Sequence, residues 1–179
     1  MLILLRNTSW ALMAILCAFS GSAVAGQFDL VINGRSHHIN SDYDWNENNI
    51  GLGIEYEFDR KSPWIWSLNG NAFTDSLNNM SYMAGGGLKR RLFQSASPAG
   101  YYFDAGLVAF VMSRADFNDY LPFPGILPTV SFGTKNIGFN VSYVPDFVVR
   151  DIAQAKVLDP NVRGVLFLQM KFRLSGAAH

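Results

Sequence analysis

The sequence predicts an all-β fold: an eight-stranded antiparallel transmembrane β-barrel of the outer membrane. Three observations predict it. After residue 25, apolar and polar residues alternate with period two, the pattern of strands with one apolar face. The first 25 residues read as a secretory signal peptide. The composition is poor in charge (16%) and rich in aromatic (14%) and hydrophobic (49%) residues, where a soluble domain carries about 25% charged residues. A surface of that kind faces something other than water.

The leader comes first. Arg6 supplies its positive end, Trp10 to Phe19 its apolar run, and Ala23-Val24-Ala25 a small-x-small cleavage site. The apolar run is too short to span a bilayer as a helix. The expected organisation is a signal peptide over 1–25, a barrel over 26–174 and a small polar tail over 175–179. The one cysteine, Cys17, falls in the leader with Leu16 before it, which does not fit a lipoprotein site. The exported part therefore holds no thiol for disulfides or metal.

Eight strands follow, roughly over 28–38, 48–59, 63–75, 79–93, 100–115, 125–134, 136–145 and 163–174. Leu52, Ile54, Tyr56 and Phe58 alternate with Gly51, Gly53, Glu55 and Glu57; Trp64, Trp66 and Leu68 alternate with Ile65, Ser67 and Asn69. Leu166 to Leu174 repeats the pattern near the C-terminus. Turn signals separate the runs, at Asp59–Pro63, Leu77-Asn78-Asn79, Ser95–Gly100 and Thr134-Lys135-Asn136. Closure is required because lipid cannot satisfy a free strand edge. Trp64, Trp66, Tyr82, Tyr101, Tyr102, Tyr120 and Tyr143 are placed for interfacial girdles. A soluble barrel of lipocalin type is the competing architecture, and the continuity of the apolar strand faces argues against it.

Leu121 to Pro128 (LPFPGILP) holds three prolines, and Pro145 ends the next strand. Proline removes a ladder donor. Two neighbouring strands that cannot pair at their outer ends would leave a slot through which a lipid tail could enter sideways; a plain proline-rich loop is the alternative.

With 14 basic and 14 acidic residues the chain has no net charge, which argues against a nucleic-acid binder. Gly85-Gly86-Gly87 is not a phosphate loop, and neither a metal-ligand pattern nor a cofactor motif is present. His37 and His38, adjacent in or just after the first strand, point to opposite sides. Asp75-Ser76 ends the third strand. A histidine base and a hydroxyl at one mouth of a barrel suit acyl transfer, although Asp-Ser is also a common turn pair.

Two stretches resemble the lipid A palmitoyltransferases of the PagP family. The first runs from Gly106 to Pro145: an apolar strand, Arg114, Asp116-Phe117-Asn118, then Tyr120-Leu121-Pro122-Phe123-Pro124-Gly125-Ile126-Leu127-Pro128, and Ser142-Tyr143-Val144-Pro145. The second is Ala72 to Asn78 with Ala84-Gly85-Gly86-Gly87. The resemblance implies an acyltransferase that moves palmitate from a glycerophospholipid donor to a hydroxyacyl chain of lipid A, in the outer membrane, without cofactor or metal, and as a monomer. It implies His38 (His37 as the alternative), Asp75 and Ser76 as catalytic residues. It implies Gly87 as the glycine that sets acyl length at sixteen carbons, and Pro122, Pro124, Pro128 and Pro145 as the residues that keep the lateral gap open. Family members carry an amphipathic helix before the first strand; only Gly26 and Gln27 stand there here. A lipid A deacylase and a non-enzymatic lipid-binding barrel are the competing functions.

Overall fold

The computed structural model describes residues 26–58, 62–117, 119–152 and 159–175. The expected signal peptide, the turn residues 59–61, Asn118 and the tail from Gly176 to His179 lie outside them. Eight strands form one closed antiparallel barrel in chain order. They are β1 (Gly26–Ile39), β2 (Asn48–Phe58), β3 (Trp64–Thr74), β4 (Met80–Gln94), β5 (Tyr102–Arg114), β6 (Phe123–Gly133), β7 (Ile137–Pro145) and β8 (Gly164–Ser175). β1 pairs with both β2 and β8, which closes the sheet. A seven-residue helix, α1 (Asp146–Ile152), follows β7. The sequence reading did not foresee it. Asp146 starts it by accepting from the Phe147 N–H (2.8 Å), and Arg150 pairs back onto Asp146 one turn later (2.8 Å).

Outside and inside are exchanged relative to a soluble protein. Leu52, Ile54, Trp66, Val111 and Ile126 are each more than half exposed on the outer face. Asp29, Asn33, Glu55, Ser67, Lys89, Asp104, Ser131 and Lys171 are buried inside. An apolar band around a polar lumen belongs in hydrocarbon, so this is a membrane barrel. Among the described residues no helix is long and apolar enough to cross a membrane; the strands do the crossing. Trp64, Trp66, Tyr82, Tyr101, Tyr120 and Tyr143 lie on the exposed surface, as girdle residues should. Tyr102 does not: it turns inward, with the Arg91 guanidinium 4.6 Å from its ring centre.

The lumen is layered. The end that carries the β2–β3, β4–β5 and β6–β7 turns holds an ion-pair network. Lys171 Nζ lies 2.9 Å from both Glu55 Oε1 and Glu57 Oε1 and 3.3 Å from Asp29 Oδ2. Lys89 reaches the same two glutamates at 3.0 and 3.3 Å, and Arg91 pairs with Asp104. Above it lies a belt of amides, with Gln169 donating to Asn33 (2.6 Å) and Asn33 to Asn71 (3.3 Å). Toward the opposite end an apolar cluster forms beside polar groups of the rim. There Trp45, Val149, Val162 and Val165 pack together with Leu77 and Val144.

Candidate active site

A bulge decides which histidine enters the lumen. Asp29, Val31 and Asn33 point inward at odd positions, so strict alternation would send His37 in. The register of β1 slips between Asn33 and Arg35 against both neighbours. Gly34 occupies the slip, where an extra residue inverts the alternation. Beyond it Ser36 and His38 face the lumen and His37 faces out. His38 is 7% exposed, and the His37 side chain is 68% exposed.

His38 is held on three sides. Its ring stacks on Trp45 (centroids 4.9 Å apart, planes within 10°). Its backbone N–H donates to Glu47 Oε1 at 2.9 Å, and the same oxygen lies 3.6 Å from Nδ1. Partial burial pushes the Glu47 carboxyl up, but the His38 amide and the two imidazoles outweigh it and hold the group below its ordinary range. Trp45 is fixed in turn by its indole N–H on Ser41 Oγ (2.7 Å). Ser41 donates to Asp159, which also accepts from the Asp42 and Tyr43 amides at 2.9 and 3.3 Å. Those donors, the Ser41 hydroxyl first, hold the Asp159 carboxyl below its usual range. A lowered carboxylate stabilises the fold above its unfolded-state pKa, and that contribution disappears as pH falls through the lowered folded value. The clamp is therefore intact at neutral pH and releases only in acid. Asp159→Asn should release Trp45 at neutral pH, read as a red shift in fluorescence that a Trp45→Phe background lacks.

Asp75 and Ser76 stand across the mouth from His38. Asp75 is buried and its carboxylate is committed. Oδ1 accepts from the Leu77 and Asn79 amides (2.9 and 3.0 Å), and Oδ2 from Ser81 Oγ (2.9 Å). Arg114, paired with Asp116 at 2.9 Å, lies 3.6 Å from Oδ2. Asp75 thus shapes the β3–β4 turn and anchors Arg114. The turn presents Ser76 to the lumen. His38, Asp75 and Ser76 share one cavity but form no hydrogen-bonded relay among the described residues.

That cavity measures about 150 Å³. Ser36, His38, Asn49, Asp75, Ser76 and Arg114 rim it, and Met83, Phe110, Leu127, Phe167 and Val149 are among its apolar walls. Three buried polar atoms on the rim, Ser36 Oγ, His38 Nδ1 and Asn49 Oδ1, have no hydrogen-bond partner. Buried polar atoms are paired as a rule; Ser36 Oγ and Asn49 Oδ1 are left open at this mouth, while His38 Nδ1 has the Glu47 carboxylate near it, at 3.6 Å.

One wall of the cavity is open between β6 and β7. Their ladder runs only from Gly133↔Gly138 to Thr129↔Ser142, whereas β5–β6 continues to Met112↔Phe123 and β7–β8 to Pro145↔Gly164. Parity gives the reason. Thr134 donates to Ile137 O across the turn at 2.7 Å, so even positions of β6 and odd positions of β7 aim their backbone groups at this seam. Carried onward, the bonded pairs would be Pro128 with Tyr143, Ile126 with Pro145, and Pro124 with Phe147. Each contains a proline, which has no N–H to give. Odd positions of β6 serve β5, so the same prolines leave that ladder whole. Pro124, Pro128 and Pro145 thus lie on the seam, while Pro122 precedes β6 in the loop. Phe123, Leu127 and Val144, from the two sides of the opening, line the cavity behind it.

Gly87 faces the lumen deeper down and lines neither this cavity nor the smaller one below it. Asn49 and Trp45 had no signal in the sequence that set them apart from other strand and loop polar or aromatic residues. Ser36 and Arg114 were visible as residues but not as parts of the rim.

The family described as antimicrobial peptide resistance and lipid A acylation protein PagP matches residues 22–151. The lipid A acyltransferase PagP of Methylobacillus flagellatus is 31% identical over 129 residues, 67% of each chain. That of Bordetella pertussis is 32% identical over 67% of this chain and 68% of its own. Among solved structures, the crystal structure of Neisserial surface protein A (NspA) is similar at a TM-score of 0.38 and 15% identity, over 82% of this chain and 94% of that one. With most of the barrel, the Asp75-Ser76 turn and the proline-broken seam inside the matched span, the chain belongs to the PagP family.

Proposed function

We propose that this chain is an acyltransferase of the outer membrane, moving a fatty acyl group from a glycerophospholipid to a hydroxyacyl chain of lipid A; the resemblance makes that group palmitate. One observation carries the reading: an apolar cavity inside the barrel opens sideways through a seam that cannot zip, with His38 and Ser76 at its mouth. A lipid tail needs such an entry, and an ester carbonyl would come to rest beside those residues. In the transfer the donor's acyl C–O bond breaks and its glycerol oxygen takes a proton. The acceptor hydroxyl gives up a proton and forms the new ester, so nothing is oxidised or reduced. His38 is suited to carry that proton. Ser76, Asn49 and Arg114 are suited to orient the ester and its developing oxyanion.

Export with removal of residues 1–25 belongs to this reading. So does a monomer, since a closed barrel offers no strand edge to a second copy. Gly87 is proposed as a stop for any chain that penetrates that far. The test is mass spectrometry of lipid A from cells making the protein. A gain of one acyl group supports the proposal; an unchanged lipid A overturns it. Ser36 and His38 lie on one lumen face two residues apart, an arrangement that also suits ester hydrolysis. Loss of a chain, with free fatty acid released, would mark a deacylase instead.

Pro128→Ala with Pro145→Ala should restore two donors at the seam. Each regained hydrogen bond is worth about 1 kcal/mol, so the variant should unfold later in urea yet transfer more slowly. Faster or unchanged transfer would remove the seam as the entry.

A further inference from the structure

The lumen contains two cavities in series. The upper one, about 150 Å³, opens at the mouth, and the lower one measures about 50 Å³. Met83, Phe110, Leu127 and Phe167 line both, so these four side chains form the partition between them. Below the partition the wall mixes apolar Val31 and Val108 with Glu55, Asn71, Lys89, Thr129 and Gln169. Hydrocarbon pushed there would separate buried charges and amides from their partners, a costly exchange.

Phe110 and Phe167 are the two largest parts of the partition, and Phe110 has room made for it. On either side, at the same level, stand Gly85 of β4 and Gly125 of β6. The ring lies over Gly125, where an added Cβ would come within 2.4 Å of Phe110 Cζ. Gly87 pairs with Val108, one layer deeper. A side chain at Gly87 would meet Ser67 Oγ at 2.6 Å, beneath the partition and not in the upper cavity.

We infer that Phe110, not Gly87, is the stop against which this protein measures its acyl chain, so the chain it takes is shorter than sixteen carbons. The inference rests on the acyl-transfer reading and changes only the chain length. Two strand residues separate the levels, ~7 Å along the strand and roughly 5 Å along the barrel axis at a tilt of ~40°. A zigzag of ~1.5 Å bonds at ~111° advances roughly 1.25 Å per carbon, so the difference is about four carbons.

The experiment supplies the purified full barrel with lipid A and a series of saturated phosphatidylcholines of increasing chain length. The expected optimum lies about four carbons below sixteen. Phe110→Ala, and more mildly Phe110→Leu, should move it upward, and Gly87→Met should shorten the chain again only in the Phe110→Ala background. A sixteen-carbon optimum in the unmodified protein, or a shortening by Gly87→Met alone, overturns the inference. Should no chain be transferred, the reaction fails but the stop is still read from binding of single-chain alkyl phosphocholines. Affinity that levels off at a length Phe110→Ala extends supports it; affinity that rises without a break overturns it.

Discussion

Alanine at His38 or at Ser76 should lower lipid A acylation by about 10²–10⁴-fold, the range associated with loss of a positioned proton carrier, while the barrel stays folded. The reason lies in what each side chain already does. His38 lines the cavity, stacked on Trp45 with Nδ1 3.6 Å from Glu47 Oε1, so its removal deletes the imidazole at the mouth while the β1 ladder stays in place. Ser76 is presented by a turn that Asp75 builds through its own carboxylate and not through the serine hydroxyl. Removing that hydroxyl therefore leaves the turn standing. Asp75→Ala is a different case: it strips the Leu77 and Asn79 amides and Ser81 of their acceptor, and activity should fall together with local order. Transfer and urea unfolding measured side by side separate the two outcomes. Full activity in both His38→Ala and Ser76→Ala would remove them from the reaction, and the orphaned Ser36 hydroxyl would be the next group to test.

The largest effect on stability is expected at the other end of the lumen. Lys171→Met should cost about 3–5 kcal/mol, the range for breaking a buried ion pair from one side. Lys171 lies within 3.3 Å of Asp29, Glu55 and Glu57, and without it the cations left to those three carboxylates among the described residues are Lys89 and the outlying Arg173, with neutral amide donors from Gln27 and Asn140. Methionine keeps most of the volume, so the loss reports charge. Adding Glu57→Gln should recover part of it, because one uncompensated charge then disappears. Urea unfolding in detergent micelles measures both. If the double variant is as weak as the single one, packing and not charge explains the loss.

The strands were legible in the sequence because a lipid-facing barrel writes its alternation plainly: Leu52, Ile54 and Tyr56 outward, Gly53, Glu55 and Glu57 inward. The glutamates could be placed on the lumen face, but their partners Lys89 and Lys171 could not, since pairing across the lumen depends on register and closure. The choice of His38 over His37 was legible only through the resemblance. Alternation alone points to His37, and one inserted residue at Gly34 overrules it. Helix α1 was hidden because seven residues carry too little periodicity, and Val148-Val149 reads as more strand. The prolines announced a gap, but which ladder they break follows from their parity, fixed at the Thr134–Ile137 turn. Phe110 looked like any lumen aromatic until the glycines on either side of it were known.

The two ends of this barrel differ mechanically. The end built on Lys171 and its carboxylates is a rigid collar, crosslinked through its centre. The end beyond Thr129 and Ser142 is a slotted sleeve, free to spread along one line without breaking a hydrogen bond. Lateral pressure from the bilayer should be taken up as hinged widening of that slot while the collar holds its diameter. Amide exchange should accordingly be slow around the collar and fast along both lips of the slot, and a thicker or more tightly packed membrane should narrow the entrance without changing the fold.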